Sequence, residues 1–209
     1  FFAILSTAIL GMTLWQVGGN DLEFTQAMRF TTFNVTSILT GTGYATDDYS
    51  QWGGFAVVMF FFVMFIGGCV GSTSCGIKIF RFQILYAAAR TQMARLLQPH
   101  GVFVANFNRR PIPESVMDSV MSFFFLFALS FAAIAVGLSL MGLDFLTAVS
   151  GAGTAIANVG PGLGDVIGPS GTFAPLPDMA KWLLAAGMLL GRLELLTVMV
   201  LFTRTFWRG

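Results

Sequence analysis

Two short runs of the chain, Thr40-Gly41-Thr42-Gly43-Tyr44 and Asn158-Val159-Gly160-Pro161-Gly162, offer their backbones as the reactive surface. Glycine reaches backbone angles closed to other residues, so such runs can turn successive carbonyl oxygens toward one axis. Carbonyls arranged in this way replace the water around a monovalent cation in a narrow filter. The residues alone leave a second reading open, in which both runs are turns capping re-entrant helices of a structural subunit. A third run, Gly67-Gly68-Cys69-Val70-Gly71-Ser72-Thr73-Ser74-Cys75-Gly76, is small on every side. A small-residue helix interface keeps its small residues on one face, so this run is better read as a mobile loop at membrane depth. Cys69 and Cys75 lie six apart with no other ligand types nearby, which suits small apolar fillers better than a metal site. The fourth feature is Arg192, in Gly191-Arg192-Leu193-Glu194 within an apolar run. An arginine near a bilayer centre costs about 2.5–3.5 kcal/mol on insertion scales, so it must face protein or a water-filled path. Glu194, two residues on, lies on another helical face and is a poor partner.

The elements that hold these runs follow from composition. Apolar residues are 56% of the 209 and charged residues 10%, against about 25% charged in soluble domains. Mean hydropathy is +0.78, so the chain reads as an integral membrane protein. A net charge of +1 gives no basic stripe for nucleic acid. An intramembrane enzyme is also disfavoured: His100, the single histidine, sits in a polar connection, and no Asp lies mid-span. At roughly 20 residues per crossing, the spans are Phe1–Val17, Trp52–Ile66, Ser119–Met141 and Met179–Phe202. The first reads as the remainder of a longer helix. The second continues beyond the glycine run into Ile77–Leu97, and as one straight helix it would reach about 69 Å, so it must break. Leu22–Tyr44 and Gly142–Gly164 are too apolar for exposed loops and too short to cross twice. Each reads as a helix, Phe24–Leu39 or Phe145–Ile156, that dips into the membrane and returns as loop beside a water-filled path. The helix C-terminus then presents partial negative charge to a cation.

The chain is therefore one unit written twice: span, dipping helix, glycine loop, span. Landmarks recur when Gly43 is set against Gly160, and an acid four residues before a Trp (Asp48…Trp52, Asp178…Trp182) opens each later span. The expected organisation is 1–97 for the first unit, 98–118 for a connection and 119–209 for the second unit. Lys78, Arg81, Arg90, Arg95, Arg109, Arg110, Arg204 and Arg208 lie on one side. Asp21, Glu23, Asp47, Asp48, Asp144, Asp165 and Asp178 lie on the other, against only Arg29 and Lys181. By the bias of basic residues, the first side is cytoplasmic.

In this order the landmarks resemble the Trk-type potassium uptake family (TrkH, TrkG and KtrB transporters), most of all its TrkH branch. The resemblance is carried by Phe33-Asn34-Val35-Thr36-Ser37-Ile38 leading to Thr40–Tyr44, by Ile66–Thr73 and by Asn158–Gly164. Ala180-Lys181-Trp182, Gly191–Glu194 and Thr205-Phe206-Trp207-Arg208 complete it. The chain departs from the family pattern at Gly41, Tyr44 and Ser74-Cys75. The resemblance implies an all-α membrane protein: the third and fourth of four helix–pore-loop–helix units around one pseudo-tetrameric, potassium-channel-like pore. It implies K⁺ bound by the carbonyls of a filter of Thr40, Gly41, Thr42, Gly43, Tyr44, Asn158, Val159, Gly160 and Pro161. Gly67, Gly68, Cys69, Gly71, Ser72, Thr73, Ser74 and Gly76 would form an intramembrane gate loop, and Arg192 a barrier in the path. No organic cofactor is implied. The implied setting is a bacterial inner membrane, as a homodimer working with a cytoplasmic TrkA-like nucleotide-binding ring docked near Arg90–Arg110. Two alternatives stand beside it. One is a separate-chain tetrameric channel, which the dissimilar Asn158–Gly162 loop disfavours. The other is a Na⁺-permeable member of the same family.

Overall fold

The computed structural model describes residues 1–69, 71–72, 74–98, 101–107, 110–193 and 207. Its elements are α1 (Phe2–Gly19), α2 (Phe24–Thr40), α3 (Gly54–Val63), β1 (Ile66–Gly67), β2 (Ile77–Lys78), α4 (Ile79–Leu97), β3 (Asn106–Phe107), β4 (Arg110–Pro111), α5 (Glu114–Leu140), α6 (Phe145–Ala157) and α7 (Asp178–Arg192). Helices α1 and α5 are long and apolar enough to cross a bilayer. Each buries a single stripe. On α5 it runs Val120, Phe123, Phe127, Ser130, Ile134 and Leu138, a three-and-four spacing that marks one helical face. Met121, Phe125, Leu129 and Val136 remain exposed on the rest of its circumference, the distribution expected of a helix bathed in lipid.

Helix α1 packs on α2, and α6 lies between α5 and α7. Helix α6 is buried from Ser150 through Ala157, and only a helix of small residues admits neighbours on every side. Gly191 of α7 shows how close they come: a Cβ there would collide with the Ile156 carbonyl near the end of α6. The core joins the two halves of the chain. Val35, Ile38, Leu39 and Phe60 from the first half cluster with Ala157, Val159 and Leu163 from the second.

Three sequence expectations change. The second span breaks earlier than its glycines suggest: α3 ends at Val63 and is ten residues long. The Ile77 N–H then bonds the Phe65 carbonyl at 2.9 Å, and Ile66–Gly67 pairs in parallel with Ile77–Lys78. The all-α expectation is thus modified by this pairing and by the antiparallel β3–β4 pair, both too short for alternation to reveal. The two Asp–Trp landmarks are also not equivalent. Trp52 is buried and its Nε1–H donates to Asp47 Oδ2 at 2.8 Å, whereas Trp182 is 75% exposed and Asp178 pairs with Lys181. The last span is described only to Leu193. His100, Arg109, Glu194, Arg204, Thr205, Phe206 and Arg208 lie outside the described residues.

Replacing Gly191 with Ala in the full-length protein should cost about 1–3 kcal/mol by overpacking α7 on α6. Thermal unfolding in detergent reads this directly, and an unchanged midpoint would contradict the contact.

Candidate functional site

Helices α2 and α6 end in the same way. The Gly41 N–H bonds the Ile38 carbonyl at 3.1 Å and the Thr42 N–H bonds the Ser37 carbonyl at 2.9 Å. In the second copy Asn158 bonds Ala155 at 3.2 Å and Val159 bonds Thr154 at 3.1 Å. Gly41 (φ 71°) and Asn158 (φ 51°) are left-handed caps. This is the double bond of a Schellman terminus, which favours Gly or Asn at that position. The register set by Gly43 and Gly160 is therefore a register of hydrogen bonds.

Beyond the caps the two loops meet. Gly43 has φ 79°, and a Cβ on it would collide with the Val159 carbonyl and lie 3.3 Å from Pro161 Cδ. Gly160 faces Gly43 in return: its Cβ would stand 3.5 Å from the Gly43 Cα. Val159 is buried in the joint core behind the contact, while Thr42, Tyr44 and Gly160 are exposed. Thr40 and Thr42 share a hydroxyl–hydroxyl hydrogen bond of 2.8 Å.

Each loop is fastened to its own helix by a buried polar residue that composition and spacing did not single out. Asn34 accepts the Thr46 N–H at 3.1 Å and donates to Thr46 Oγ1 at 3.2 Å. Ser150 Oγ accepts the Leu163 N–H at 3.0 Å. The second loop has two further ties: Gly160 N–H to Thr154 Oγ1 at 3.0 Å and Asn158 Nδ2 to the Met188 carbonyl at 2.8 Å. At the rim the Gly164 N–H donates to Ser50 Oγ at 3.2 Å, across the two units. Asp144 caps α6 by accepting the Thr147 N–H at 3.1 Å, and its hydrogen bonding to Thr147 holds its carboxyl below the usual carboxylate range.

Under the end of α6 lies the third run. The Gly68 N–H donates to Ser74 Oγ at 2.8 Å, Ser72 and Ser74 share a 2.9 Å hydroxyl bond, and Ser72 Oγ donates to the Cys69 carbonyl at 2.7 Å. Val70 and Thr73 lie outside the described residues. Arg192 reaches this loop: its Nη1 donates to Cys75 Sγ at 3.3 Å. Cys75 is therefore an acceptor for the arginine, a role its apolar-filler reading missed. Loop and arginine line a cavity of about 240 Å³ with Lys78, Arg81, Ile156 and Gly191. The Arg81 guanidinium sits 3.7 Å from the Phe123 ring centroid, within cation–π range.

The Asp144 cap gives a pH signature. Its folded pKa is lowered, so its stabilisation is present above the unfolded carboxylate value near 4 and fades as pH falls through the lower folded value. Asp144→Asn should keep the cap and flatten the acid limb of a stability–pH curve. Asp144→Ala should lose up to about 1 kcal/mol at pH 7, at the small end because the group is exposed. Equal acid limbs for wild type and Asp144→Asn would refute the assignment.

Comparison with known proteins places this geometry. Residues 17–208 match the family described as TrkH, cation transport protein. The Trk system potassium uptake protein TrkI of Halomonas elongata is 55% identical over 205 residues, 98% of this chain and 42% of that protein. The Trk system potassium uptake protein TrkH of Escherichia coli K12 is 38% identical over 176 residues, 84% of this chain and 36% of that protein. The crystal structure of the potassium transporter TrkH from Vibrio parahaemolyticus matches with a TM-score of 0.91 at 35% identity, over 99% of this chain and 44% of that one. The chain thus spans about two fifths of the length of these relatives. It is a multi-pass inner-membrane protein, and it belongs to the TrkH family of cation transport proteins.

Proposed function

We propose that this chain supplies the third and fourth helix–pore-loop–helix units of a four-unit, pseudo-tetrameric K⁺ pathway, as part of the membrane subunit of a Trk-type uptake system. Residues 1–97 are the third unit, 98–118 the cytoplasmic connection and 119–209 the fourth. The observation that carries the reading is the contact of Gly43 with Val159 and Gly160, just past two helix ends closed by the same bonds. Two loops so related form adjacent walls around one axis. Thr40–Tyr44 and Asn158–Pro161 turn carbonyls toward K⁺, which exchanges its hydration shell for them, while the C-terminal ends of α2 and α6 add partial negative charge. No covalent chemistry is needed.

Below the filter, the loop from Gly67 to Gly76 is the gate and Arg192 the electrostatic barrier. The hydrogen bond from Arg192 to Cys75 supports their acting together. A cation passing Arg192 meets a like charge, and displacing the loop also displaces Cys75, one of the groups the arginine bonds. The relatives' names, Trk system potassium uptake proteins, support K⁺ as the transported ion. The protein is a homodimer in the bilayer. The segment carrying Arg90, Arg95 and the β3–β4 pair with Arg110 is the docking face for a cytoplasmic TrkA-like nucleotide-binding ring.

The test uses the full-length protein in K⁺-uptake-deficient cells and in proteoliposomes. Gly43→Ser should lower the K⁺/Na⁺ flux ratio about tenfold, matching the ~1–2 kcal/mol a side chain costs at a left-handed backbone position. Gly160→Ser should lower the ratio too, because its φ of 121° strains any side chain even where the space beside it is open. Unchanged ratios in both would sink the filter assignment. Arg192→Ala should raise K⁺ flux by about tenfold or more, since like charges at close range repel by about 4 kcal/mol near a protein surface. Flux that falls or stays level would remove the barrier role.

A further inference from the structure

The two filter loops differ in how the amide of their matched glycine is held. In the fourth unit the amides divide their acceptors: Val159 N–H takes the Thr154 carbonyl at 3.1 Å and Gly160 N–H takes the Thr154 hydroxyl at 3.0 Å. In the third unit Ser37 stands where Thr154 stands, with a hydroxyl in the same place in sequence. Here both amides crowd one acceptor. Thr42 N–H bonds the Ser37 carbonyl at 2.9 Å, and Gly43 N–H reaches the same oxygen at 3.5 Å, the far limit of a hydrogen bond. The Ser37 hydroxyl is buried and has no hydrogen-bond partner among the described residues, and Ser37 as a whole is only 6% exposed. Other hydroxyls on the same helix are settled: Thr31 and Thr40 donate to the carbonyls four residues back, at 2.8 and 2.7 Å. A buried unpaired hydroxyl is costly, and this one lies within the same turn as a weakly held filter amide.

We propose that Ser37 is a positioning residue that sets the selectivity of the third-unit loop, its hydroxyl serving as the second acceptor for the Gly43 N–H. This deepens the filter reading above and rests on it. The loop then has two hydrogen-bond states. In one, Gly43 N–H leans on the crowded Ser37 carbonyl; in the other, it takes the hydroxyl, as Gly160 does in the fourth unit. The peptide plane is rigid, so the Gly43 N–H and the Thr42 carbonyl turn together. Moving the amide between acceptors therefore re-aims a filter carbonyl. The motion has a neighbour to answer to, because Gly43 lies directly against the Val159 carbonyl. Ser37 itself touches no ion and acts through the Thr42–Gly43 peptide.

The experiment measures initial K⁺ and Na⁺ influx into proteoliposomes for the full-length wild type, Ser37→Ala, Ser37→Thr and Thr154→Val, with thermal midpoints for each. Ser37→Ala should lower the K⁺/Na⁺ ratio about fivefold, the equivalent of one net hydrogen bond, with a midpoint near wild type because the hydroxyl is unpaired in one of the loop's two states and bonded in the other. Ser37→Thr should keep the ratio. Ser37→Cys, near in size and a weaker acceptor, should fall between and serves if the alanine variant does not fold. If Thr154→Val lowers the ratio and Ser37→Ala does not, the proposal is wrong and the filter reading survives. If neither moves it, the proposal is wrong, and the filter reading stands or falls separately on Gly43→Ser and Gly160→Ser. If Ser37→Ala loses ratio and midpoint together and Ser37→Thr restores neither, Ser37 is a packing residue and the proposal fails.

Discussion

Helices α2 and α6 end among buried side chains instead of in water, and their last carbonyls must find donors there. In a bilayer each unsatisfied backbone group costs several kcal/mol, so the end of such a helix dictates the path of the chain beyond it. Both helices solve the problem with a left-handed residue and two returning amides. Those amides belong to the residues that form the loop, so helix termination and loop geometry are one event. The buried fastenings from Asn34 and Ser150 complete the same accounting on the returning limb. The fold around them is arranged to protect this dry, fully bonded centre: small residues on α6 admit neighbours on all sides, and longer helices turn bulk outward.

The features legible in the sequence were those with a backbone cause. Gly43 and Gly160 announced themselves because a left-handed or tightly approached position has few alternatives to glycine. The dipping helices were found to within a residue at their C-termini, because a helix too short to cross must end inside. The glycines of the second span announce its break but not its place: α3 stops at Val63 because the Phe65 carbonyl pairs with Ile77, a partner no local pattern announces. The fastening roles of Asn34 and Ser150 are hidden for the same reason, although Asn34 lies in a run that carries the family resemblance. A buried polar side chain looks ordinary until its partner, 12 or 13 residues away, is known. The repeated Asp–Trp spacing misled in the opposite direction, since equal spacing produced a buried Trp52 and an exposed Trp182.

The lower half of the site obeys different physics. Among the described residues, serine hydroxyls bonded to one another and to backbone tie its loop, an arrangement easily exchanged for water. The bond from Arg192 to Cys75 joins a charge to a weak acceptor. Sulfur accepts less strongly than oxygen, so this bond holds the guanidinium more loosely than a carbonyl would. The upper half is thus built from mutually dependent backbone bonds, while the described serine bonds of the lower loop run through side chains, a division that fits the proposed pairing of a rigid filter with a movable gate.

Helix α2 has 17 residues and α6 has 13, a difference of four residues and about 6 Å of helix. Walls encoded in separate stretches of one chain are released from the equality that identical subunits enforce. In the proposed pore, a blocker lodged at the outer mouth would meet unequal heights on these two sides, whereas a homotetramer offers four alike. Inhibitors with a long and a short arm could exploit that lopsidedness to distinguish this protein from symmetric potassium channels.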